Sequence, residues 1–385
     1  MKSKFVTLKL GIKKNKLDGL LIKLPYNNTA IVCTKNKFAA SSIITSKENI
    51  RSGKVCYIFI NSGNANACTG KEGHANTKKI LNILSKKLGC SDDQILIMST
   101  GIIGRQLPMK NIIDSITKNS FSNHTSLKNA ASAIMTTDKF PKYITKSYTL
   151  SSKKVTFRGI CKGAGMIEPN MATMLGFIET NVAIPKTLLK KYLRSCVNLS
   201  FNNISVDGDT STNDMVAFSS TGDVSLNLKN AGVEKKFLSY ASDFFLTLAS
   251  LIVKDGEGAT KFIKLSIINS KTLSLAQDIS RKISNSLLVK TAMFGEDPNW
   301  GRIVASLGAV ESEYIHPDRV KLIINDILCF KNGIPTNNLV SKLKQSMKNN
   351  KIEITIDLNN GKQNQTIYFS DLSHEYVRIN SEYTT

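Results

Sequence analysis

The sixteen residues from Lys162 to Phe177, KGAGMIEPNMATMLGF, constrain the fold of this chain more than any other segment. Glycines and a proline predict a tight turn, because these residues supply the backbone angles that turns require. The apolar run that begins at Met174 then predicts a buried strand. The segment therefore places a hydroxyl residue, Thr173, between a turn and a core strand.

A hydroxyl residue in this setting suits a chain that cleaves itself. Cleavage before Thr173 would create a new α-amino group, with a reference pKa near about 7.7, on the residue that carries the hydroxyl. That amine can act as the base for its own nucleophile, so no histidine is needed. The alternative from these residues alone is a loop that leads into a core strand, with a threonine that merely suits β-structure.

Length and composition indicate a folded protein. A chain of 385 residues, 41% of them hydrophobic, can bury a sizeable core. No apolar run approaches the roughly 18 residues that span a bilayer, and the N-terminus lacks a signal-peptide core. We therefore predict a cytoplasmic protein without a membrane partner. The seven cysteines form no CxxC pair and no metal-ligand pattern, so we predict no metal site and no catalytic role for Cys161.

The formal charge of +23 at first suggests a nucleic-acid partner. Lysine supplies most of this charge, and the lysines occur singly or in pairs along the whole chain instead of forming an arginine-rich stripe with aromatic residues. This distribution is typical of solvated surfaces, so we predict no nucleic-acid partner. A positive field would still attract acidic metabolites.

Strand and helix patterns alternate along the chain. Residues 55–61 predict a strand before a glycine-rich turn, and a second strand over 95–98 delivers Thr100 and Gly101 into a loop. Further strands are predicted within 148–161 and over 173–178, 215–220, 262–268, 319–324, 352–358 and 365–369. Helices are predicted over 74–88, from Pro108, over 126–135 and 186–198, through 237–251 and through 276–287. This mixture predicts an α/β or α+β fold in which helices cover stacked β-sheets.

Six further motifs follow in order: NSGNAN (61–66), STGIIG (99–104), MTTD (135–138), SVDGDTSTND (205–214), KDGEGATK (254–261) and NSEYTT (380–385). With the segment from Lys162 to Phe177, they resemble the ArgJ family, the glutamate N-acetyltransferases also called ornithine acetyltransferases. The resemblance runs from about Gly11 to the last residue. It implies a layered sandwich of the DmpA/ArgJ-like, N-terminal-nucleophile type.

The resemblance also implies a reaction. Cleavage between Ala172 and Thr173 would give an α chain of residues 1–172 and a β chain of residues 173–385. Thr173 would then take the acetyl group from N2-acetyl-L-ornithine and pass it to L-glutamate, while Thr100 and Gly101 form the oxyanion hole. The family implies no cofactor, acetyl-CoA as a second candidate donor, and an assembly of two α and two β chains.

Six positions match the substrate-binding positions of the family: Thr136, Lys162, Thr173, Glu257, Asn380 and Thr385. This set suits an amino acid, because Lys162 and neighbouring hydroxyl or amide donors can hold a carboxylate. Glu257 can pair with the ammonium group of ornithine. The terminal Thr385 is unusual in this role, since the last residues of most chains are disordered.

Three other functions remain open at this point. A DmpA-type self-processing aminopeptidase or amidase would pass the acyl group to water instead of glutamate. A basic nucleic-acid-binding protein without activity would explain the charge alone. An uncleaved relative would give one band near 42 kDa on a denaturing gel instead of two fragments of roughly half that mass.

Overall fold

The computed structural model describes residues 2–25, 28–52, 54–168, 174–336 and 340–382. The predicted cleavage pair, Ala172 and Thr173, and the predicted substrate-binding residue Thr385 lie outside the described residues. By their internal contacts, the described residues form two units, one from 2–202 with 209–252 and one from 203–208 with 253–382. These units are defined by contacts, whereas the predicted α and β chains are defined by cleavage of a peptide bond after residue 172. The predicted cleavage therefore stays a prediction.

The described residues form 16 strands and 11 α-helices. The strands are β1 Lys4–Leu8, β2 Gly19–Lys23, β3 Asn28–Cys33, β4 Tyr57–Asn64, β5 Ile95–Ile102, β6 Lys142–Leu150, β7 Lys153–Lys162, β8 Leu175–Val182, β9 Ile204–Ser205, β10 Met215–Val224, β11 Phe262–Ser270, β12 Lys321–Ile324, β13 Ile327–Lys331, β14 Ile334–Pro335, β15 Lys351–Asp357 and β16 Gln363–Ser370. The helices are α1 Ser41–Ser52, α2 Gly70–Leu88, α3 Met109–Lys118, α4 Leu127–Ile134, α5 Lys186–Asn198, α6 Ala231–Lys254, α7 Leu273–Ser284, α8 Leu287–Phe294, α9 Trp300–Gly308, α10 Val340–Met347 and α11 His374–Glu382.

The first unit contains two sheets. One has the strand order β1-β2-β4-β5, and the other has the order β3-β10-β8-β7-β6. In the first sheet β4 and β5 are parallel, whereas the β1–β2 and β2–β4 pairs are antiparallel. In the second sheet β8 is parallel to β10 and antiparallel to β7. The chain thus brings the strand after residue 173 into the middle of a sheet.

Apolar side chains hold these two sheets together as layers. One core cluster joins the facing sides of the sheets, where the rings of Phe5 and Phe177 meet at 6.0 Å between centroids. A second cluster packs the outer face of the four-stranded sheet against α2 and α3. On the outer face of the other sheet, Phe157 stacks on Phe244 of α6 at 5.6 Å. The predicted fold class, helices covering stacked β-sheets, is confirmed.

Helix α6 departs from the expectation that no apolar run approaches membrane-spanning length. Its 24 residues are long and apolar enough to cross a membrane by length and composition. However, its buried phenylalanines pack on rings of the first unit: Phe244 meets Phe157, and Phe245 meets Phe201 and Phe218. The apolar composition of α6 is explained by this packing, since a core helix passes the same test as a membrane span.

The second unit has one sheet, with the strand order β14-β13-β12-β15-β11-β16-β9. Its core cluster unites the buried residues of this sheet with those of α7, α8, α9 and α10. A helix predicted through residues 276–287 is in fact two helices. Helix α7 ends at Ser284, and the side chain of Ser286 accepts a bond from Val289 N to begin α8.

Candidate active site

The predicted oxyanion-hole residues lie at the carboxyl end of the parallel strands β4 and β5, an edge where α/β proteins commonly bind ligands. Thr100 is buried, and Gly101 is paired with Gly63 of the neighbouring strand. Gly101 has φ of 130°, and a Cβ atom there would lie 2.2 Å from the Gly63 carbonyl carbon. This close approach of two backbones requires glycine at position 101.

The NSGNAN motif supports this strand end through hydrogen bonds. Ser99 Oγ donates to Asn61 Oδ1 at 2.7 Å, and Asn61 Nδ2 donates to Asn64 O at 2.8 Å. Asn64 Oδ1 then accepts from Asn66 N at 2.7 Å. All four side chains are buried, so these bonds satisfy amides that would otherwise be costly to bury. The motif therefore orders the loop beside Thr100.

Two predicted substrate-binding residues from separate motifs meet in the first unit. Lys162 is the last residue of β7, and its Nζ donates to Thr136 Oγ1 at 3.2 Å. Thr136 follows α4, which ends at Ile134. In the pairing of β7 with β8, Lys162 is opposite Leu175, the first residue of the strand that follows Thr173 in sequence.

Asp138 holds the backbone on both sides of the Thr136–Lys162 contact. Its Oδ2 accepts from Thr136 N at 2.8 Å, and its Oδ1 accepts from Gly163 N at 2.8 Å and from Lys142 Nζ at 2.6 Å. The side chains of Asp138 and Lys142 are fully buried. Burial alone would raise the pKa of Asp138, but the ammonium groups of Lys142 and Lys162 and the Gly163 bond together lower it. A single ionised carboxylate thus joins the MTTD and KGAGM motifs.

In the second unit, Glu257 and Asn380 are brought together. Glu257 is buried, and its Oε2 accepts a 2.9 Å bond from Asn380 Nδ2 on α11. Gly258 permits this approach, because a Cβ atom there would lie 2.4 Å from Tyr376 N. Ser373 Oγ donates to Gly258 O at 2.6 Å, which fixes the start of the same helix. These contacts join α11 to the KDGEGATK motif.

Lys261, which also belongs to the KDGEGATK motif, has structural partners. Asp371 accepts from Thr260 N at 2.8 Å and from Lys261 N at 2.9 Å, and Lys261 Nζ donates to Glu296 Oε1 at 2.7 Å. These bonds attach the motif to the end of β16. Among the charged residues of this motif that we describe, Glu257 is the one predicted to bind substrate.

The structure thus groups Thr136 with Lys162, Thr100 with Gly101, and Glu257 with Asn380. Reasoning from the sequence missed Asp138 and Lys142, although both lie in or beside the MTTD motif. The signal was weak, since an Asp and a Lys four residues apart are common on protein surfaces. Their importance comes from complete burial and from Gly163, which is 25 residues away in sequence.

The sequence model of the ArgJ family matches residues 4–385, which extends the resemblance to residues before Gly11. The "Arginine biosynthesis bifunctional protein ArgJ, mitochondrial" of Dictyostelium discoideum is 41% identical, with 98% of this chain and 91% of that protein covered. The "Glutamate N-acetyltransferase" of Methanocaldococcus jannaschii is 43% identical, with 91% of this chain and 90% of that protein covered.

A solved structure adds to this comparison. The crystal structure of the arginine biosynthesis bifunctional protein argJ from Bacillus halodurans is 33% identical, with a TM-score of 0.52. It covers 55% of this chain, and this chain covers all of it. The residues that the family model matches include all the motifs that carry the site. The chain belongs to the ArgJ family.

Proposed function

We propose that this chain is a glutamate N-acetyltransferase of arginine biosynthesis that moves the acetyl group of N2-acetyl-L-ornithine to L-glutamate. Membership of the ArgJ family makes the chain an acyltransferase. The observation that carries the substrate assignment is the 3.2 Å bond between Lys162 and Thr136. It joins a cation and a hydroxyl from two motifs, which is the combination that binds a carboxylate.

The pair in the second unit supplies the complementary charge. Among the described residues, Asn380 is the hydrogen-bond partner of the Glu257 carboxylate, which can accept several bonds at once. A buried carboxylate with spare acceptor positions suits the ammonium group of ornithine. We therefore propose Glu257 as the residue that pairs with this ammonium group.

The proposed chemistry begins with cleavage between Ala172 and Thr173. The Thr173 hydroxyl attacks the acetyl carbonyl, and its proton passes to the new α-amino group. The Thr100 hydroxyl and the Gly101 N–H donate to the oxyanion of the tetrahedral intermediate. Collapse transfers the proton to the leaving amine and releases ornithine. The amine of glutamate then attacks the acetyl ester, and the same groups act in reverse order.

The cut itself has indirect support from the length of a relative. The Bacillus halodurans chain is covered completely by 55% of this chain. A fragment of residues 173–385 would be a similar share of the 385-residue sequence. We propose the cytoplasm as the location and two α with two β chains as the assembly, with a total mass of about twice 42.3 kDa in solution.

The proposed transfer is tested by incubating the purified protein with N2-acetylornithine, with and without glutamate. We expect N-acetylglutamate and ornithine in equal amounts when glutamate is present, and about one ornithine per active site when it is absent. Continued release of ornithine without glutamate, at the same rate, would instead identify a hydrolase. Acetyl-CoA is offered in place of N2-acetylornithine in a parallel reaction to test the second candidate donor.

Replacing Thr100 by valine is expected to lower kcat by about 10² to 10³-fold with little change in KM, since an oxyanion-hole donor acts mainly in the transition state. Thr100→Ser is the matched control, because it keeps the hydroxyl and should retain most activity. Initial rates at saturating and limiting N2-acetylornithine measure both constants. An unchanged kcat for the valine variant would remove Thr100 from the oxyanion hole.

Replacing Asn380 by alanine is expected to lower kcat/KM for N2-acetylornithine about tenfold, because a hydrogen bond to a buried charged group is lost. The exposed neighbour Ser381, changed to alanine, is the control and should leave kcat/KM unchanged. Steady-state kinetics of both variants measure the difference. Equal values for the two variants would contradict a role for Asn380 in holding Glu257.

A further inference from the structure

A loop between β1 and β2 approaches the Thr136–Lys162 contact from another part of the first unit. The fully buried Asp18 holds this loop, since its carboxylate accepts from the backbone N–H groups of Leu10, Ile12 and Lys13. The bonds from Ile12 and Lys13 measure 2.7 and 2.9 Å. A carboxylate with three backbone donors fixes the path of the loop, and with it the starting point of the Lys13 side chain.

The Lys13 side chain extends across the strand end that carries the predicted oxyanion hole. A Cβ atom on Gly63 would lie 2.8 Å from Lys13 Cγ, so the aliphatic part of Lys13 covers Gly63. Gly63 is the register partner of Gly101. At its far end, Lys13 Nζ donates to Met135 O at 3.0 Å, one residue before Thr136. Lys13 therefore connects the two groups of predicted site residues in the first unit.

The ammonium of Lys13 lies in a strongly charged environment. Burial lowers its pKa most, Asp18 and Asp138 act in the opposite direction, and Lys16 and Lys162 lower it further. Lys13 is thus within electrostatic range of both Asp138 and Lys162. An ammonium has three N–H groups, and among the described residues its hydrogen-bond partner is the Met135 carbonyl. The other N–H groups of Lys13 can therefore donate to an anionic ligand.

We propose that Lys13 is a further substrate-binding residue, which acts with Lys162 and Thr136 on the α-carboxylate that N2-acetylornithine and glutamate share. A carboxylate between the two lysines would offset both the burial of Lys13 and the repulsion between like charges. Its two oxygens provide enough acceptor positions for two ammonium groups and a hydroxyl. This inference rests on the proposed function, and it adds a residue that neither the motifs nor the resemblance singled out.

The variant Lys13→Met tests the inference, because methionine keeps an aliphatic chain over Gly63 but has no ammonium. We expect kcat/KM for both N2-acetylornithine and glutamate to fall by about 10 to 100-fold, mainly through KM. Lys14→Met is the matched control, since Lys14 is the exposed next residue of the same loop and its loss should change neither constant.

A donor without the carboxylate separates binding from a structural role. N-acetyl-1,4-diaminobutane is N2-acetylornithine without its α-carboxylate, and its kcat/KM, or its inhibition constant when turnover is slow, should be the same for the wild-type protein and Lys13→Met. An equal loss with both donors would assign Lys13 a purely structural role and overturn the inference. So would wild-type kinetics of Lys13→Met with N2-acetylornithine. A wild-type protein that transfers no acetyl group would instead refute the proposed function, and the inference with it.

Discussion

Thr173→Ala is expected to leave the chain uncut and to lower acetyl transfer at least about 10⁴-fold, since removal of a catalytic nucleophile has effects of this size or larger. The variant lacks the hydroxyl that would attack both the peptide bond and the acetyl group. A denaturing gel should show one band near 42.3 kDa, and N-acetylglutamate formation should approach the background rate.

Thr173→Ser is the control for this experiment. Serine keeps a hydroxyl on the residue that would become the new N-terminus, so both cleavage and transfer should persist at measurable rates. The pair of variants separates the chemistry of the hydroxyl from the packing of the segment. Transfer at the wild-type rate by the uncut alanine variant would contradict the proposed mechanism.

Asp138→Ala is expected to lower the free energy of unfolding by about 3 to 5 kcal/mol, because Lys142 would lose its 2.6 Å ion pair inside the protein. Activity should fall as well, since Thr136 N and Gly163 N would lose their shared acceptor. Urea denaturation measures the stability, and kcat/KM for N2-acetylornithine measures the effect on the site.

A double variant separates these two effects. Asp138→Leu combined with Lys142→Met removes both buried charges, a change that is often neutral for stability. We expect it to recover most of the stability but not the activity, because an apolar pair cannot position Thr136 and Lys162. Full recovery of kcat/KM would show that Asp138 contributes to folding alone.

The pH dependence of stability follows from the same carboxylate. The pKa of Asp138 is lower in the folded protein than its usual value of 3.8. Its stabilising contribution is therefore present above that value and is lost as the pH falls from there toward the folded-state pKa. The difference in unfolding free energy between wild type and the double variant should change in this acidic range and stay constant near neutral pH.

Local patterns predicted those parts of the fold that depend on neighbouring residues. Helix α5 has the predicted bounds, residues 186–198, because apolar residues repeat at helical spacing after Pro185. The strand predicted over 95–98 is β5, which is parallel to β4 at the edge of its sheet. The prediction that Thr100 and Gly101 lie in a loop was wrong, because β5 continues through both residues to Ile102. The first three strands were not predicted, since short apolar runs of five or six residues do not distinguish strands from other buried segments.

The candidate site was predictable where a motif carries both the chemistry and its position. Thr136 and Lys162 were identified from their motifs, and the structure places them in contact. Asp138 and Lys13 escaped prediction because their roles depend on tertiary contacts: Asp138 bonds Gly163, and Lys13 reaches Met135 across 122 residues of sequence. Such contacts exist only after the sheets have formed, so no local sequence pattern predicts them.

The central claim is that Thr173 becomes an N-terminal nucleophile that carries the acetyl group. Mass spectrometry of the purified protein, with and without N2-acetylornithine, tests this most directly. We predict a fragment that begins at Thr173 and that gains about 42 Da on this residue when the donor is present. An intact chain that transfers acetyl groups at full rate, or a fragment that begins at another residue, would contradict the account.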